Sequence, residues 1–431
     1  MADPVLETAR ELCAFIDAAP TPFHACAEVA RRLERAGFSR LAEEAAWPRG
    51  ASKSYVWRAG SIAAWAAPEE ARPWTGFRLV GAHTDSPNLR VKPRPDLVRA
   101  GLRQLGVEVY GGVLANSWLD RDLALAGRAL VRGDDGPREH LFRLDAPLLR
   151  IPQLAIHLNR EITTDGLLLN PQAHLNPILA VDGAQDGDDF RELVGAALHV
   201  APDEVLSWDA MLHAAEPARL VGQGQAFVSA SRLDNLCSCF CALTALVQRL
   251  ARPEPRRRVS AFVFFDHEEV GSASSRGAQS AFLRDVLERS VIARGGARED
   301  YHRAVADSCL VSADMAHATH PNYPEKHELD HPVRMNGGPA IKSNVNQRYA
   351  SEGASEAVFL EACAEADVPA QRYVHRGDMP CGTTIGPLTA ANLGLCTVDV
   401  GNPQLAMHSA RELCGARDPW LLAQALAAFY S

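Results

Sequence analysis

The sequence contains no apolar run long enough to cross a membrane. No stretch of it approaches the ~20 consecutive apolar residues that a transmembrane helix needs. The opening segment, MADPVLETARELCAFIDAAP, carries acidic side chains and lacks the basic start and apolar core of a signal peptide. We therefore expect a cytoplasmic protein without a membrane partner.

Clusters of positive charge are also lacking. The chain has 44 Lys and Arg residues against 53 Asp and Glu residues, a formal net charge of −9, and its basic residues form no block. Proteins that bind nucleic acids usually carry a concentrated positive surface. The charge pattern thus argues against a nucleic acid as the main partner.

The cysteines show no regular spacing of the kind found in disulfide frameworks. There are 10 of them, and the densest group, CSCFC at 237–241, lies in an apolar stretch and is not a C-x-x-C motif. Buried cysteines commonly behave as small apolar residues in reducing compartments. We expect reduced, mostly buried thiols, which agrees with a cytoplasmic location.

The pattern of apolar residues predicts an α/β fold with an insertion. A chain of 431 residues is long enough for two domains. From about residue 230 onward, strand-like and helix-like segments alternate, which is typical of a parallel sheet covered on both faces. Residues 96–230 instead show short strand-like pieces between Gly, Pro and Asp clusters. We predict an α/β domain of residues 1–95 and 231–431 and an inserted β-rich domain of residues 96–230.

Ionisable residues follow the predicted strands at five separate places in the chain. Ligands of open α/β sheets bind beyond the carboxyl ends of the strands, so these side chains could converge on one crevice. They are His83 with Asp85, Asp234, Glu268 with Glu269, Asp314, and His408 after a short loop.

Two imidazoles and several carboxylates are a suitable ligand set for a pair of divalent metals ~3.5–4 Å apart, with one carboxylate bridging. The adjacent acids Glu268 and Glu269 would repel each other if both were buried as anions, and a dication would remove that cost. One of the two could then hold metal while its neighbour transfers a proton.

Several of these residues also have an ordinary structural interpretation. His83 and Asp85 could make a loop hydrogen bond, Asp234 could cap the helix that follows it, and the two glutamates could lie at a solvated strand end. Their shared position after strands is what favours a metal site. The tract HATHPNYPEKHELDH is rich in Pro and charge, and we interpret most of its histidines as surface loop residues: His320, His327 and His331.

A series of motifs runs along nearly the whole chain. In chain order they are GAHTDSPNLRVKP, RIPQLAIHLNR, SRLDNLCS, FFDHEEVGS, SADMAHATHPNY, GPAIKSNVNQRYAS, DMPCGTTIGP and MHSARE. On these motifs the sequence resembles the aspartyl aminopeptidase family of zinc exopeptidases. The resemblance implies a three-layer α/β/α domain with an inserted β-rich domain that mediates dimerisation. It also implies dimers that assemble into a tetrahedral dodecamer.

The resemblance implies two Zn²⁺ ions per subunit, for which Mn or Co could substitute. Carried over to this sequence, His83 and Asp314 bind one ion, Glu269 and His408 bind the other, and Asp234 bridges both.

The same resemblance assigns the remaining site residues. It makes Glu268 the general base and Asp85 the residue that orients His83. It implies that His157 reaches a neighbouring subunit's active site, and a role for that residue as a metal ligand stays open. The residues that it places in the substrate pocket are His317, Lys342 and Tyr349.

These assignments predict a metallo-aminopeptidase that removes N-terminal residues from peptides with a metal-activated water. The cation Lys342 would favour Asp or Glu at the first position. Two alternatives remain open. One is an N-acyl hydrolase or carboxypeptidase on the same scaffold, and the other is a non-catalytic assembly protein.

Overall fold

The structure, a computed structural model, describes residues 3–183 and 189–431. Its α-helices are, in chain order, α1 Pro4–Ala18, α2 Pro22–Arg35, α3 Ile162–Asp165, α4 Pro171–His174, α5 Phe190–Leu198, α6 Leu233–Ala251, α7 Phe282–Ala293, α8 Arg298–Ala306, α9 Gly353–Glu365, α10 Ile385–Leu393 and α11 Asp418–Phe429. Its strands are β1 Ser39–Arg40, β2 Lys53–Arg58, β3 Ser61–Ala66, β4 Phe77–His83, β5 Asn88–Arg99, β6 Leu102–Tyr110, β7 Asp122–Val131, β8 Arg138–Arg150, β9 Ile178–Val181, β10 Val205–Ala214, β11 Arg219–Val221, β12 Phe227–Ala230, β13 Val259–Phe265, β14 Cys309–Ala313, β15 Ala316–His317, β16 Ala340–Ser343, β17 Gln371–Val374, β18 Cys396–Gly401, β19 Pro403–Leu405 and β20 Glu412–Gly415.

The chain divides into two compact units. The first comprises residues 1–85, 218–407 and 412–431, and the second comprises residues 86–217 and 408–411. These bounds differ from the sequence-based ones at 95/96 and 230/231. The difference arises from strand pairing. Strand β5 pairs with β6 and β10 of the second unit. Strand β11 pairs with β12, and β12 pairs with β20 of the first unit.

The first unit is built on a nine-stranded sheet in the order β1-β2-β3-β13-β4-β14-β18-β16-β17. Its four central strands, β13, β4, β14 and β18, are parallel to one another. Residues along them alternate between the two faces, as successive side chains of a strand must. Phe262 and Phe264 pack on one face, while Val263 and Phe265 pack on the other.

Helices cover both faces of this sheet. One apolar core lies between the sheet and helices α1, α2, α6, α9 and α11, and the other lies between the sheet and α7, α8 and α10. The predicted three-layer α/β arrangement is therefore confirmed. Because both faces are covered, the crevice for a ligand is left at the strand ends.

A smaller sheet of the first unit escaped sequence-based prediction. It has the order β11-β12-β20-β19-β15. Its strands span only two to four residues each, which is too short for an alternating pattern to be recognised.

The second unit is a closed six-stranded barrel in the order β10-β5-β6-β9-β8-β7. Its interior is filled by aliphatic side chains such as Leu89, Leu105 and Leu123, and Phe190 and Val194 of α5 pack against the same core. The predicted β-rich insertion is thus confirmed as a barrel. Within the described residues, no helix combines the length and the apolar character that a membrane span requires.

Candidate metal centre

The carboxyl ends of three neighbouring parallel strands carry four of the predicted site residues. His83 is the last residue of β4 and pairs in register with Phe265, the last residue of β13. Asp314 directly follows β14, whose Ser312 pairs with Gly81 of β4. Glu268 and Glu269 begin a short 3₁₀ turn just beyond β13. The sheet therefore brings together residues that are up to 231 positions apart in the chain.

The His83 side chain is the centre of this group and is 1% exposed. Its Nδ1 lies 3.0 Å from the backbone oxygen of Asp85. Its Nε2 lies 3.3 Å from Asp234 Oδ1, 3.5 Å from Asp314 Oδ1 and 3.9 Å from Glu268 Oε2. Burial alone would lower the pKa of His83, but the surrounding carboxylates outweigh it and raise that pKa well above its usual value.

The Asp85 carboxylate is fully buried and holds the two glutamates in place. Its Oδ1 accepts a hydrogen bond from the backbone N–H of Glu268, and its Oδ2 accepts one from the N–H of Glu269, each at 3.1 Å. It also lies close to His83, with Oδ1 at 3.4 Å from Nδ1. The sequence suggested only the contact with His83, because the glutamates lie 183 and 184 residues away.

Asp234 enters the site from the start of α6, where its backbone and that of Asn235 depart from helical geometry. The Asp234 N–H donates to Glu412 Oε2 at 3.1 Å. The Asn235 amide donates to the carbonyl oxygen of Ala313 at 2.8 Å, which ties this turn to the end of β14. Asp234 therefore is not a simple helix cap. Glu412, which is 2% exposed, is a supporting residue that sequence reasoning missed.

The donor set fits a divalent metal. Potential ligand atoms lie within 4.8 Å of one another in two overlapping groups. Both groups contain His83, which is joined by Asp234 and Glu269 in one and by Glu268 and Asp314 in the other. Imidazole nitrogen and carboxylate oxygen are ligands that Zn²⁺ accepts. A dication at this position would also offset the mutual repulsion of these carboxylates.

Glu268 is distinguished from the other acids by its environment. Burial raises the pKa of its carboxyl group to about 8, against the opposing effect of His83 and with the help of the nearby acids Asp314, Asp85 and Asp234. A carboxylate with such a pKa can both accept and return a proton near neutral pH.

A group of cationic and aromatic side chains adjoins Asp314. Lys342 Nζ is buried, 3.4 Å from Asp314 Oδ2 and 3.3 Å from the carbonyl oxygen of Met315. It also lies 5.1 Å from the ring centroid of Tyr349. Tyr373, which the sequence did not single out, pairs in register with Lys342, and its ring lies 6.2 Å from that of Tyr349.

His317 belongs to the same neighbourhood, with its ring 6.1 Å from that of Tyr373. Burial, with the charge of Lys342, lowers the pKa of His317 to about 4. The imidazole is therefore neutral near pH 7 and can serve as a hydrogen-bonding group without charge.

His157 and His408 belong to the second unit. His157 is exposed in a one-turn 3₁₀ helix, Ile156–Leu158. His408 has a left-handed backbone with φ 66°, and its Nδ1 lies 3.1 Å from the carbonyl oxygen of Gly112. Neither belongs to the groups of potential metal ligands found among residues 3–183 and 189–431. Their predicted roles stay predictions.

The other histidines of the 317–331 tract contact one another or nearby residues. The backbone N–H of His320 donates to His327 Nε2 at 3.0 Å, and the His331 side chain contacts that of Glu328. These contacts agree with the interpretation of this segment as a loop.

Comparison with known proteins matches almost the whole chain to one family. Residues 15–430 match the family described as aminopeptidase I zinc metalloprotease (M18). A probable M18 family aminopeptidase 2 of Streptomyces coelicolor is 52% identical over 420 residues, which cover 97% of this chain and 96% of that protein.

Solved structures extend the likeness to three dimensions. A chain from the cryo-EM structure of the Ape4 and Nbr1 complex has a TM-score of 0.94 and 36% identity, covering 99% of this chain and 86% of that one. A chain of the S. cerevisiae mApe1 dodecamer has a TM-score of 0.86 and 27% identity, covering 99% of this chain and 97% of that one.

Proposed function

The chain belongs to the M18 family of zinc aminopeptidases, and on that premise we propose that it removes N-terminal Asp and Glu residues from peptides. The observation that carries this proposal is the buried cluster around His83 Nε2, with three carboxylates within 3.9 Å of that atom. The resemblance to aspartyl aminopeptidases supplies the preference for acidic residues.

Two zinc ions per chain are part of the proposal. His83 and Asp314 would hold one, Glu269 with the predicted ligand His408 would hold the other, and Asp234 would bridge them. The close approach of both Asp234 and Asp314 to His83 Nε2 supports this division. When bound, the ions supply Lewis-acid chemistry by acidifying a water molecule and polarising the scissile carbonyl.

Glu268 is the proposed general base. Its carboxylate accepts a proton from the attacking water and then delivers that proton to the nitrogen of the leaving peptide. Asp85 supports this role because it fixes the backbone of both glutamates through two hydrogen bonds of 3.1 Å. The turn can then present the two carboxylates in different directions.

Lys342 is the proposed specificity residue. Its ammonium group is almost completely buried beside Tyr349, where water competes poorly for it. A charge-assisted hydrogen bond to the carboxylate of a substrate Asp or Glu would therefore be strong. A substrate with an apolar first residue would gain nothing from this cation.

We further propose a cytoplasmic homo-oligomer that is built from dimers and reaches a dodecamer. A dodecamer is the form in which the S. cerevisiae mApe1 relative was solved. Apolar side chains around His157 support an interface there, because exposed apolar patches commonly mark contact surfaces. Leu154, Ile156 and Leu158 are 59%, 52% and 74% exposed in the described chain. His157 would lie in the partner's site.

Four matched peptides test this activity. They begin with Asp or Leu, and each is prepared with a free and with an acetylated N-terminus. We expect release of the first residue only from the free peptides, with a higher kcat/KM for Asp than for Leu.

Cleavage of the acetylated peptides would instead indicate an N-acyl hydrolase, and release of the last residue would indicate a carboxypeptidase. No cleavage by the zinc-loaded protein would favour an assembly role.

A further inference from the structure

Two cysteines lie side by side at the amino ends of neighbouring strands. Cys309 is the first residue of β14, Cys396 is the first residue of β18, and the two pair directly in parallel register. Their Sγ atoms are 3.8 Å apart, and both are free thiols. Paired residues of adjacent strands have Cα atoms about 4.8 Å apart, which lies within the range of about 4.4–6.8 Å that a disulfide spans.

The two thiols differ in accessibility. Cys396 is exposed, although its neighbours Leu395 and Thr397 are buried, whereas Cys309 is 2% exposed. A small reagent in solution therefore reaches Cys396 first. Cys309 can react only with a group that is already attached to its neighbour.

A fixed positive charge accompanies the pair. Arg78 of β4 pairs in register with Cys309, so Arg78, Cys309 and Cys396 form one row across three parallel strands. The Arg78 guanidinium lies 5.4 Å from the ring centroid of Phe429, which packs beside it. Burial raises the pKa of the Cys309 thiol to about 12, and Arg78 opposes that rise. The cation thus favours the loss of the Cys309 proton when the thiol reacts.

We propose that Cys309 and Cys396 form a reversible disulfide when the protein meets a low-molecular-weight disulfide. The Cys396 thiolate attacks one sulfur of the reagent and expels the other as a thiol, leaving a mixed disulfide on Cys396. The Cys309 thiol then loses its proton, attacks Cys396 Sγ and expels the second small thiol. The two protein thiols together lose two electrons, and the reagent disulfide takes them up and is reduced to two thiols.

The crosslink would join β14 and β18 at the ends opposite to the candidate metal centre. It would close a loop from residue 309 to residue 396, and a disulfide across a long loop stabilises a protein mainly by restricting its unfolded chain. Oxidising conditions would therefore raise the thermal stability of the sheet that carries Asp314.

Peptide mapping of the zinc-loaded full chain tests the proposal. The reduced protein is incubated with oxidised glutathione, its remaining thiols are alkylated, and it is digested without reductant. We expect a Cys309–Cys396 crosslinked peptide that dithiothreitol separates, together with a Tm that rises on oxidation. The variant Cys396→Ser should form no crosslink on Cys309 and show no rise in Tm. The matched control Cys381→Ser, at the partly exposed cysteine, should keep both effects.

Because Cys396 is exposed, the serine variant is expected to fold, so the comparison does not depend on a change in the core. A wild-type protein that carries glutathione on Cys396 but forms no crosslink would overturn the proposal. An equal rise in Tm of the wild type and Cys396→Ser would overturn it as well.

Discussion

At the scale of single residues, the turn Glu268–Val270 gives neighbouring acids different environments. One buried carboxylate, Asp85, accepts hydrogen bonds from the backbone of Glu268 and of Glu269. The carboxylate oxygens of the two side chains fall into different groups of potential metal ligands around His83. This separation supports the proposed division of labour, in which Glu269 binds metal and Glu268 transfers a proton.

Substitution of each glutamate by glutamine separates these roles. Glu268→Gln should lower kcat by roughly 10²- to 10⁴-fold, because an amide cannot accept the proton, and should retain the metal content of the wild type. Glu269→Gln should lose one metal ion per chain, as measured by atomic emission on desalted protein. Near-wild-type turnover of Glu268→Gln would refute its assignment as the base.

A second residue-scale prediction concerns specificity. Lys342→Met should raise KM for aspartyl and glutamyl substrates by roughly 10- to 100-fold, the cost of one lost hydrogen bond to a charged group. KM for leucyl substrates should change little, because they make no such bond.

The matched control for Lys342→Met is Lys326→Met, at an exposed lysine of the loop after β15, which should leave all KM values unchanged. An equal rise in KM for acidic and leucyl substrates would show that Lys342 supports the structure instead of selecting the substrate.

Sequence reasoning identified Glu268, Glu269 and Asp314 as site candidates because each lies shortly after the end of its strand, so the signal is local. It missed the support given by Glu412 and the contact of Asp85 with the glutamates. Those depend on hydrogen bonds between residues 178 to 184 positions apart, for which no sequence pattern exists.

At the scale of elements, Asp399 of β18 connects three parts of the first unit by hydrogen bonds: β14, the start of α10 and the segment that carries Tyr349. Its carboxylate accepts hydrogen bonds of 2.6 Å from Ser312 of β14, from Thr384 at the start of α10 and from the backbone N–H of Ala350. Asp399 is fully buried, and burial raises its pKa. The segment that carries Tyr349 is therefore anchored to the sheet.

Removal of this carboxylate should destabilise the fold. Asp399→Ala leaves three buried donors without an acceptor and should lower the free energy of unfolding by roughly 3 kcal/mol or more, as measured by urea denaturation. Asp399→Asn should lower the free energy of unfolding by less, because the asparagine side chain retains one acceptor oxygen. The control Asp135→Ala, at a side chain that is 95% exposed, should change little. If Asp399→Ala lowered the free energy of unfolding no more than Asp135→Ala does, Asp399 would not be the anchor proposed here.

The alternating strands and helices from about residue 230 onward were predictable from the sequence. Helices α1 and α2 also carry a local signal, because each begins at a capping residue followed by Pro. The five-stranded sheet was not predictable, because strands of two to four residues form only through long-range pairing. Local sequence patterns therefore identified the strands and helices that position the site. The five-stranded sheet depends on pairing between strands that are far apart in the chain.

At the scale of the whole molecule, the proposed assembly makes a specific prediction. If His157 completes a partner's site, a mixture of His157→Ala and Glu268→Gln subunits should regain part of the activity that each variant lacks. Hybrid sites would combine an intact base with an intact partner histidine. Light scattering should report a particle many times the 46.6 kDa chain mass. Proven subunit exchange without recovery, or a fully active monomer, would exclude a shared site.

Zinc-edge anomalous diffraction from crystals of the zinc-loaded protein tests the proposed two-metal site. We expect two metal peaks per chain, ~3.5–4 Å apart, with Asp234 between them, one peak beside His83 and Asp314 and the other beside Glu269. A fully active enzyme whose anomalous peaks lie away from these side chains, or that shows a single peak there, would refute the two-metal site.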